Sequence, residues 1–192
     1  MFTEINNNLN KYEQLTIQEL SIFNSLLQVK KVPRKSLLLN KGEVCKYEAF
    51  IVKGCIKTYF IDKNEKEVIL TFSVENWWVS DIGSFHEQTP SKMYIETIED
   101  SELLILTRET KAELLYKVPK FEKIFRLLVQ RHLASYQERH FEMIALSAQE
   151  RYLIFLKKYP SITQRVPQHL IASYLGVSPE FLSKVRAKLV KQ

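Results

Sequence analysis

The spacing of apolar residues changes twice along the chain, and each change predicts a different kind of element. Near the start, Leu15-Thr16-Ile17-Gln18-Glu19-Leu20 carries the marks of a helix N-terminus. Thr16 suits the N-cap, Glu19 three residues later closes a capping box, and Leu15 is placed to staple onto Leu20. This helix is expected to run to about Leu27. From Val32 to about Leu106 the texture is β: apolar and aromatic residues gather in short runs at 36–40, 50–52, 55–61, 68–73, 94–98 and 103–107. Lys41-Gly42, Lys53-Gly54 and the polar stretch 62–67 read as turns between them, which predicts a small sandwich or barrel. Trp77, Trp78 and Val79 mark a buried loop or strand.

After Pro119 the period becomes three and four. Phe121, Ile124, Phe125, Leu128, His132, Leu133, Tyr136, Phe141 and Ile144 recur over about 25 residues with no Gly or Pro between them. A helix of that length with one apolar stripe needs a covering surface, either the β-domain or a second copy of the chain. Its length favours dimerisation. A shorter helix over residues 148–159 is stopped by Pro160.

The last segment is the most specific. Residues 168–175 predict a short helix entered through Pro167, and Gly176 follows where a tight turn needs positive φ. Val177-Ser178-Pro179-Glu180 then supplies a staple residue, an N-cap, a proline at the first helical position and a carboxylate near the positive helix end. A second helix is expected to about Leu189. Counted from Gln168, Ala172 falls at position five and Gly176 at nine. Ile171, Leu175, Val177, Leu182 and Val185 fall at four, eight, ten, fifteen and eighteen. A small residue at the crossing, a glycine in the turn and five apolar side chains between two helices make a helix-turn-helix, whose second helix can enter a DNA major groove. Glu180, Ser183, Lys184 and Lys188 are left on the opposite face. An ordinary helical hairpin is the bland alternative.

Charge adds to this picture through its location. The net charge is +6, and from Ser147 to the end there are eight Lys or Arg against Glu150 and Glu180 alone. Lysines and arginines cancel the acids in the rest of the chain. Such a basic terminus is the footprint of a nucleic-acid partner, or else a solvated lysine-rich helix.

The order of capped helix, β-roll, long helix and helix-turn-helix resembles the Crp/Fnr family of bacterial transcription regulators over nearly the full chain. The resemblance is carried by Phe50-Ile51-Val52-Lys53-Gly54-Cys55-Ile56-Lys57-Thr58-Tyr59, Glu75-Asn76-Trp77-Trp78, Glu99-Asp100-Ser101-Glu102-Leu103-Leu104 and Val166-Pro167-Gln168 through Arg186. The doubled Trp and the Glu-Asp-Ser-Glu-Leu-Leu string resemble short Bacteroidetes-type members. The resemblance implies an α+β protein with three parts. These are an N-terminal double-stranded β-roll of the cyclic-nucleotide-binding type, a long dimerisation helix and a C-terminal all-α helix-turn-helix, expected at residues 1–117, 118–146 and 147–192. It implies double-stranded DNA, a second copy of the chain and a small-molecule effector as partners, with no cofactor, no metal and no membrane. A cytoplasmic, non-enzymatic regulator is expected.

Carried over by position, Glu180 and Lys184 match base-reading residues, and Ser178, Ser183 and Lys188 match phosphate-contacting or flanking ones. Gln168, Pro179 and Arg186 complete the expected DNA-binding set. Pro179 stands where a well-studied relative has arginine, so a different target sequence is expected. The effector pocket is expected around Trp78, Asp81, Ile82, Gly83, Ser91, Lys92 and Tyr136. The family's cyclic-nucleotide cassette pairs a carboxylate with an arginine. Asp81 offers the first, but no arginine lies between Val68 and Glu102, and Lys92 is a point charge rather than a fork. Cyclic AMP is therefore not the expected effector. Only six residues separate Pro160 from Pro167, and the chain stops four residues past Lys188, so a β-hairpin wing has little room.

Other chemistries fit less well. Cys45 and Cys55 are too few for an iron–sulfur sensor, which needs about four cysteines. His86, His132, His140 and His169 offer no complete metal set. No apolar run approaches the roughly 18 residues of a membrane helix, and residues 1–11 lack the apolar stretch of a signal peptide. The alternative functions are a ligand-binding regulatory module whose C-terminal helices contact protein instead of DNA, and an enzyme built on the β-roll.

Overall fold

The structure, a computed structural model, describes residues 2–189; Lys191, counted in the basic terminus, lies outside them. In chain order the elements are α1 (Thr3–Asn10), α2 (Ile17–Leu26), β1 (Gln28–Val32), β2 (Leu37–Leu39), β3 (Tyr47–Lys53), β4 (Ile56–Ile61), β5 (Glu67–Ser73), β6 (Trp78–Val79), α3 (Ile82–Glu87), β7 (Tyr94–Thr97) and β8 (Ser101–Thr107). Then follow α4 (Arg108–Lys117), α5 (Lys120–Ala145), α6 (Ala148–Lys158), α7 (Ile162–Arg165), α8 (Gln168–Leu175) and α9 (Pro179–Leu189). The chain forms two compact units. One comprises Met1–Thr58 and Phe72–His132, the other Tyr59–Thr71 and Leu133–Gln192.

The β-roll consists of two antiparallel sheets, ordered β1-β8-β3-β6 and β2-β7-β4-β5. The middle strands of the first sheet, β8 and β3, are buried on both faces, and their side chains sort with period two. Ala49 and Ile51 of β3, with Leu103 and Ile105 of β8, enter a core shared with Leu39, Ile56 and Ile95 of the other sheet. The alternate residues Phe50, Leu104 and Leu106 face a second core made with Ile5, Leu9, Phe23, Leu114, Phe121 and Ile124 of the helices. A strand covered on both sides needs apolar residues at consecutive positions. That explains the unbroken run Leu103-Leu104-Ile105-Leu106. Gly54 turns β3 into β4 at φ +114°, where an added Cβ would lie 2.2 Å from Ser101 Oγ.

The capping box at α2 forms as its sequence predicts: Thr16 Oγ1 accepts from Glu19 N–H while Glu19 accepts from Thr16 N–H at 2.7 Å. Each of the six predicted strand runs overlaps an observed strand, and the long helix is continuous from Lys120 to Ala145. Five elements are additions to the sequence reading: α1, β1, α3, α4 and α7. β1 has four exposed residues out of five and exists through its pairing with β8, Gln28 opposite Ile105 and Val32 opposite Ser101. α1 is polar except for Ile5 and Leu9, one turn apart and fully buried. α4 begins at a Thr107/Thr110 capping box.

Candidate nucleic-acid interface

The second unit is built around the last four helices. Ser147 caps α6: its hydroxyl accepts from Glu150 N–H, and Glu150 Oε2 accepts from Ser147 N–H at 2.8 Å and from its hydroxyl at 2.7 Å. Tyr152 and Phe155 of α6 are buried with Tyr159, Ile162 and Val166. Phe155 packs on Tyr159 and on Tyr174 of α8, each with ring centres 5.1 Å apart. Tyr159 and Tyr174 also hydrogen-bond each other, and burial raises both phenols above their ordinary pKa.

On this base stand α8 and α9. Leu170, Ile171, Ala172, Tyr174 and Leu175 of α8 are buried, as are Leu182 and Val185 of α9. Gly176 sits between the helices in the left-handed region, φ 68° and ψ 36°, and Val177 N–H bonds back to Ala172 O at 3.0 Å. Any side chain would be strained at that φ. An added Cβ would also meet Met143 Cε at 3.1 Å. Ser178 Oγ then accepts from Phe181 N–H at 3.2 Å, and α9 starts at Pro179. The turn, the cap and the entering proline thus stand where the sequence places them.

This packing leaves Ser178, Pro179, Glu180, Ser183, Lys184, Arg186 and Lys188 exposed. Glu180 and Lys184, four residues apart, share one face with Ser183 and Ala187, opposite Leu182 and Val185. The Glu180 carboxyl is held below its ordinary pKa, first by its own backbone N–H and then by the Ser178 hydroxyl, so it is kept as an anionic acceptor. Gln168 and Arg186 are tied together, Arg186 Nη1 donating to Gln168 Oε1 at 3.0 Å.

Part of the basic charge is internal. Arg151 donates to Leu146 O at 2.7 Å and Leu175 O at 3.2 Å, bracing α6 against the end of α8. Lys158 donates to Ser135 Oγ of α5 at 3.0 Å, and desolvation lowers its pKa. The exposed cations of α9 therefore carry more of the footprint than the raw count suggests.

The hairpin end Tyr59–Thr71 belongs to the same unit and is joined to α8 by residues that sequence reasoning missed. Ser173 Oγ donates to Glu67 O at 2.8 Å and accepts from Ile69 N–H at 3.1 Å. Arg139 of α5 lies over the Tyr174 ring, 3.9 Å from its centre, and donates to Tyr174 O at 3.1 Å. No strand occurs among the described residues from Ser147 onward.

In the first unit, Trp78 of β6 lies edge-on to Phe50 and Phe125, with ring centres 5.6 and 6.1 Å away. Asp81 caps α3 by accepting from Ser84 N–H at 3.1 Å. Its other oxygen accepts from Ser91 Oγ at 2.7 Å. Asp81 and Ser91 are both buried, whereas Ile82, Gly83 and Lys92 are exposed. Tyr136 lies on the part of α5 that belongs to the second unit. A cyclic phosphate needs a cation where its charge is buried. Here each Asp81 oxygen already accepts a hydrogen bond, and Lys57, a buried cation of β4, is paired with Glu96 at 3.3 Å. These residues do not fit a cyclic nucleotide bound through a cassette arginine.

Among the described residues no helix is long and apolar enough to cross a membrane, and no three His, Cys, Asp or Glu side chains cluster as a metal site. Residues 29–117 match the cyclic nucleotide-binding domain family. The chain is 25% identical over 189 residues to an anaerobic regulatory protein of Pasteurella multocida, covering 92% of this chain and 68% of that one. FixK2 of Bradyrhizobium japonicum superposes with a TM-score of 0.76 at 14% identity, over 86% of this chain and 85% of that one. CLP, a c-di-GMP responsive global regulator of Xanthomonas campestris, gives 0.73 at 15% identity, over 92% of each chain. The catabolite activator protein of Thermus thermophilus gives 0.60 at 20% identity, over 96% of this chain and 87% of that one. In its matched domain, its order of elements and its fold, the chain is similar to regulators of the Crp/Fnr type.

Proposed function

We propose that the chain is a homodimeric, sequence-specific DNA-binding transcriptional regulator whose reading element is the helix pair α8 and α9. The observation that carries this reading is the exposed face of α9. Glu180, Ser183 and Lys184 are exposed opposite the buried Leu182 and Val185, on a helix that the Gly176 turn joins to α8. In a major groove Lys184 donates to a guanine edge and Glu180 accepts from a cytosine amino group. Ser178, Ser183 and Lys188 contact phosphates. Gln168 and Arg186, tied to each other, hold the helix pair in register, and Pro179 leaves the first helical position without a base contact. Resemblance to regulators, as the Pasteurella multocida and Xanthomonas campestris relatives are named, agrees with this reading.

Dimerisation is assigned to α5. Val129, Leu133, Tyr136, His140 and Met143 follow one another at steps of four, three, four and three, the spacing of a coiled-coil seam. All five are exposed on the single chain. In this reading residues 1–117 are the sensor, 118–146 the dimerising helix and 147–192 the reader. The sensor responds to an effector other than cyclic AMP, through the region of Trp78, Asp81 and Ser91.

The test compares two lysines on the duplex the protein prefers. Lys184→Ala is expected to weaken binding by about 1–3 kcal/mol and to relax one base position. Lys188→Ala is expected to weaken all sequences alike and to lower the salt dependence by about one unit of slope. If Lys184→Ala leaves both affinity and sequence preference unchanged, α9 is not the reading helix.

A further inference from the structure

Among the described side chains of α9, Phe181 is the large apolar one left in water, in the first turn of the helix. The residue is 47% exposed, while its neighbour Leu182 is 1% exposed. The helix-turn-helix core is filled from this side by Leu182 and Val185, which leaves the Phe181 ring outside it. Phe181 is held at the helix entrance by its own backbone N–H, which bonds to the Ser178 cap. It shares a stripe with Lys184 and Lys188, three and seven residues further on, both exposed.

An aromatic ring flanked by cations on such a turn suits one feature of a base edge. Of the four bases only thymine presents a methyl group in the major groove. A ring packed on that methyl removes apolar surface of both from water. Cytosine in its place would present an amino group, whose N–H would be desolvated against carbon with no acceptor. Resting on the DNA-binding reading above, we propose that Phe181 is a specificity-determining residue that packs on the 5-methyl group of a thymine in each half-site. Glu180 and Lys184 read by hydrogen bonds; Phe181 adds an apolar contact beside them.

The experiment starts from duplexes that the full chain enriches from a random pool. Each thymine of a half-site is replaced in turn by deoxyuridine, which removes the methyl and keeps every hydrogen-bonding group. The expected result is a position where uracil weakens binding of the unaltered chain about fourfold, the worth of one buried methyl. At that position F181A binds the thymine and uracil duplexes equally, and F181L keeps part of the difference. The proposal is overturned if the unaltered chain tolerates uracil at every thymine, or if the penalty persists unchanged in F181A and F181L. A pool that stays random overturns the DNA-binding reading together with this one, and is seen before any uracil duplex is made.

Discussion

Ser91 donates a hydrogen bond to Asp81 at 2.7 Å, both residues buried, in the segment where the resemblance to the Crp/Fnr family leads one to expect a carboxylate paired with an arginine. The bond gives that carboxyl a partner within the protein, and no arginine lies between Val68 and Glu102 to meet a phosphate. Cyclic AMP at micromolar concentration is therefore expected to leave the unfolding temperature unchanged, as thermal-shift measurement will read. Ser91→Ala takes a donor from a buried carboxyl and is expected to cost about 1–3 kcal/mol in chemical denaturation. A clear upward shift with cyclic AMP would contradict this view of the pocket.

The seam on α5 makes a second prediction. Leu133 is 57% exposed on the single chain, so Leu133→Glu is expected to leave the fold intact by circular dichroism. In a dimer two such carboxylates would face each other in an apolar seam. The expected outcome is a monomer in light scattering, with affinity for a two-half-site duplex reduced about 100-fold or more, the scale on which linkage raises avidity. A dimer that survives the change would place the interface elsewhere.

Gly176 is the left-handed turn between α8 and α9. Gly176→Ala puts a side chain at φ 68° and against Met143 Cε, and is expected to cost about 1–2 kcal/mol, with DNA affinity falling as well. Urea denaturation and duplex titration would both register it. A neutral substitution would mean that the turn relaxes out of the left-handed region.

Acid should loosen the start of α6. The Ser147 side chain, and then its backbone N–H, hold the Glu150 carboxyl below the ordinary value of 4.5. Since the folded value is the lower one, the contribution to stability is complete above the unfolded value and is lost as pH falls through the folded one. Glu150→Gln is thus expected to melt earlier than the unaltered chain at neutral pH, with the gap closing below pH 4.5. Thermal melts across that range test this; a gap that is constant with pH would assign the effect to something other than the ionised cap.

What was legible in the sequence is what short-range physics determines. Gly176, Ser178 and Pro179 each fix a local conformation, so the helix-turn-helix could be read from eighteen consecutive residues. The double burial of β8 is visible in Leu103-Leu104-Ile105-Leu106. β1 is not legible, because Val29-Lys30-Lys31 has no alternation and is a strand only through its pairing with β8. Ser173 is a second case: its partners are main-chain groups more than a hundred positions away, which no spacing encodes. Charge counting also reaches only so far. It places Arg151, Lys158 and Arg186 at the basic end, but their bonds to Leu175, Ser135 and Gln168 appear only in three dimensions. Phe181 is legible as the large apolar residue at the edge of the Leu182 and Val185 stripe.

The most direct test is selection of duplexes from a random DNA pool by the purified chain. A dimer presenting two copies of α9 about one helical turn apart, roughly 34 Å, is expected to enrich an inverted repeat with half-sites centred about ten base pairs apart. A pool that stays random, with weak binding gone by about 200 mM salt, would contradict the assignment of α9 as a reading helix.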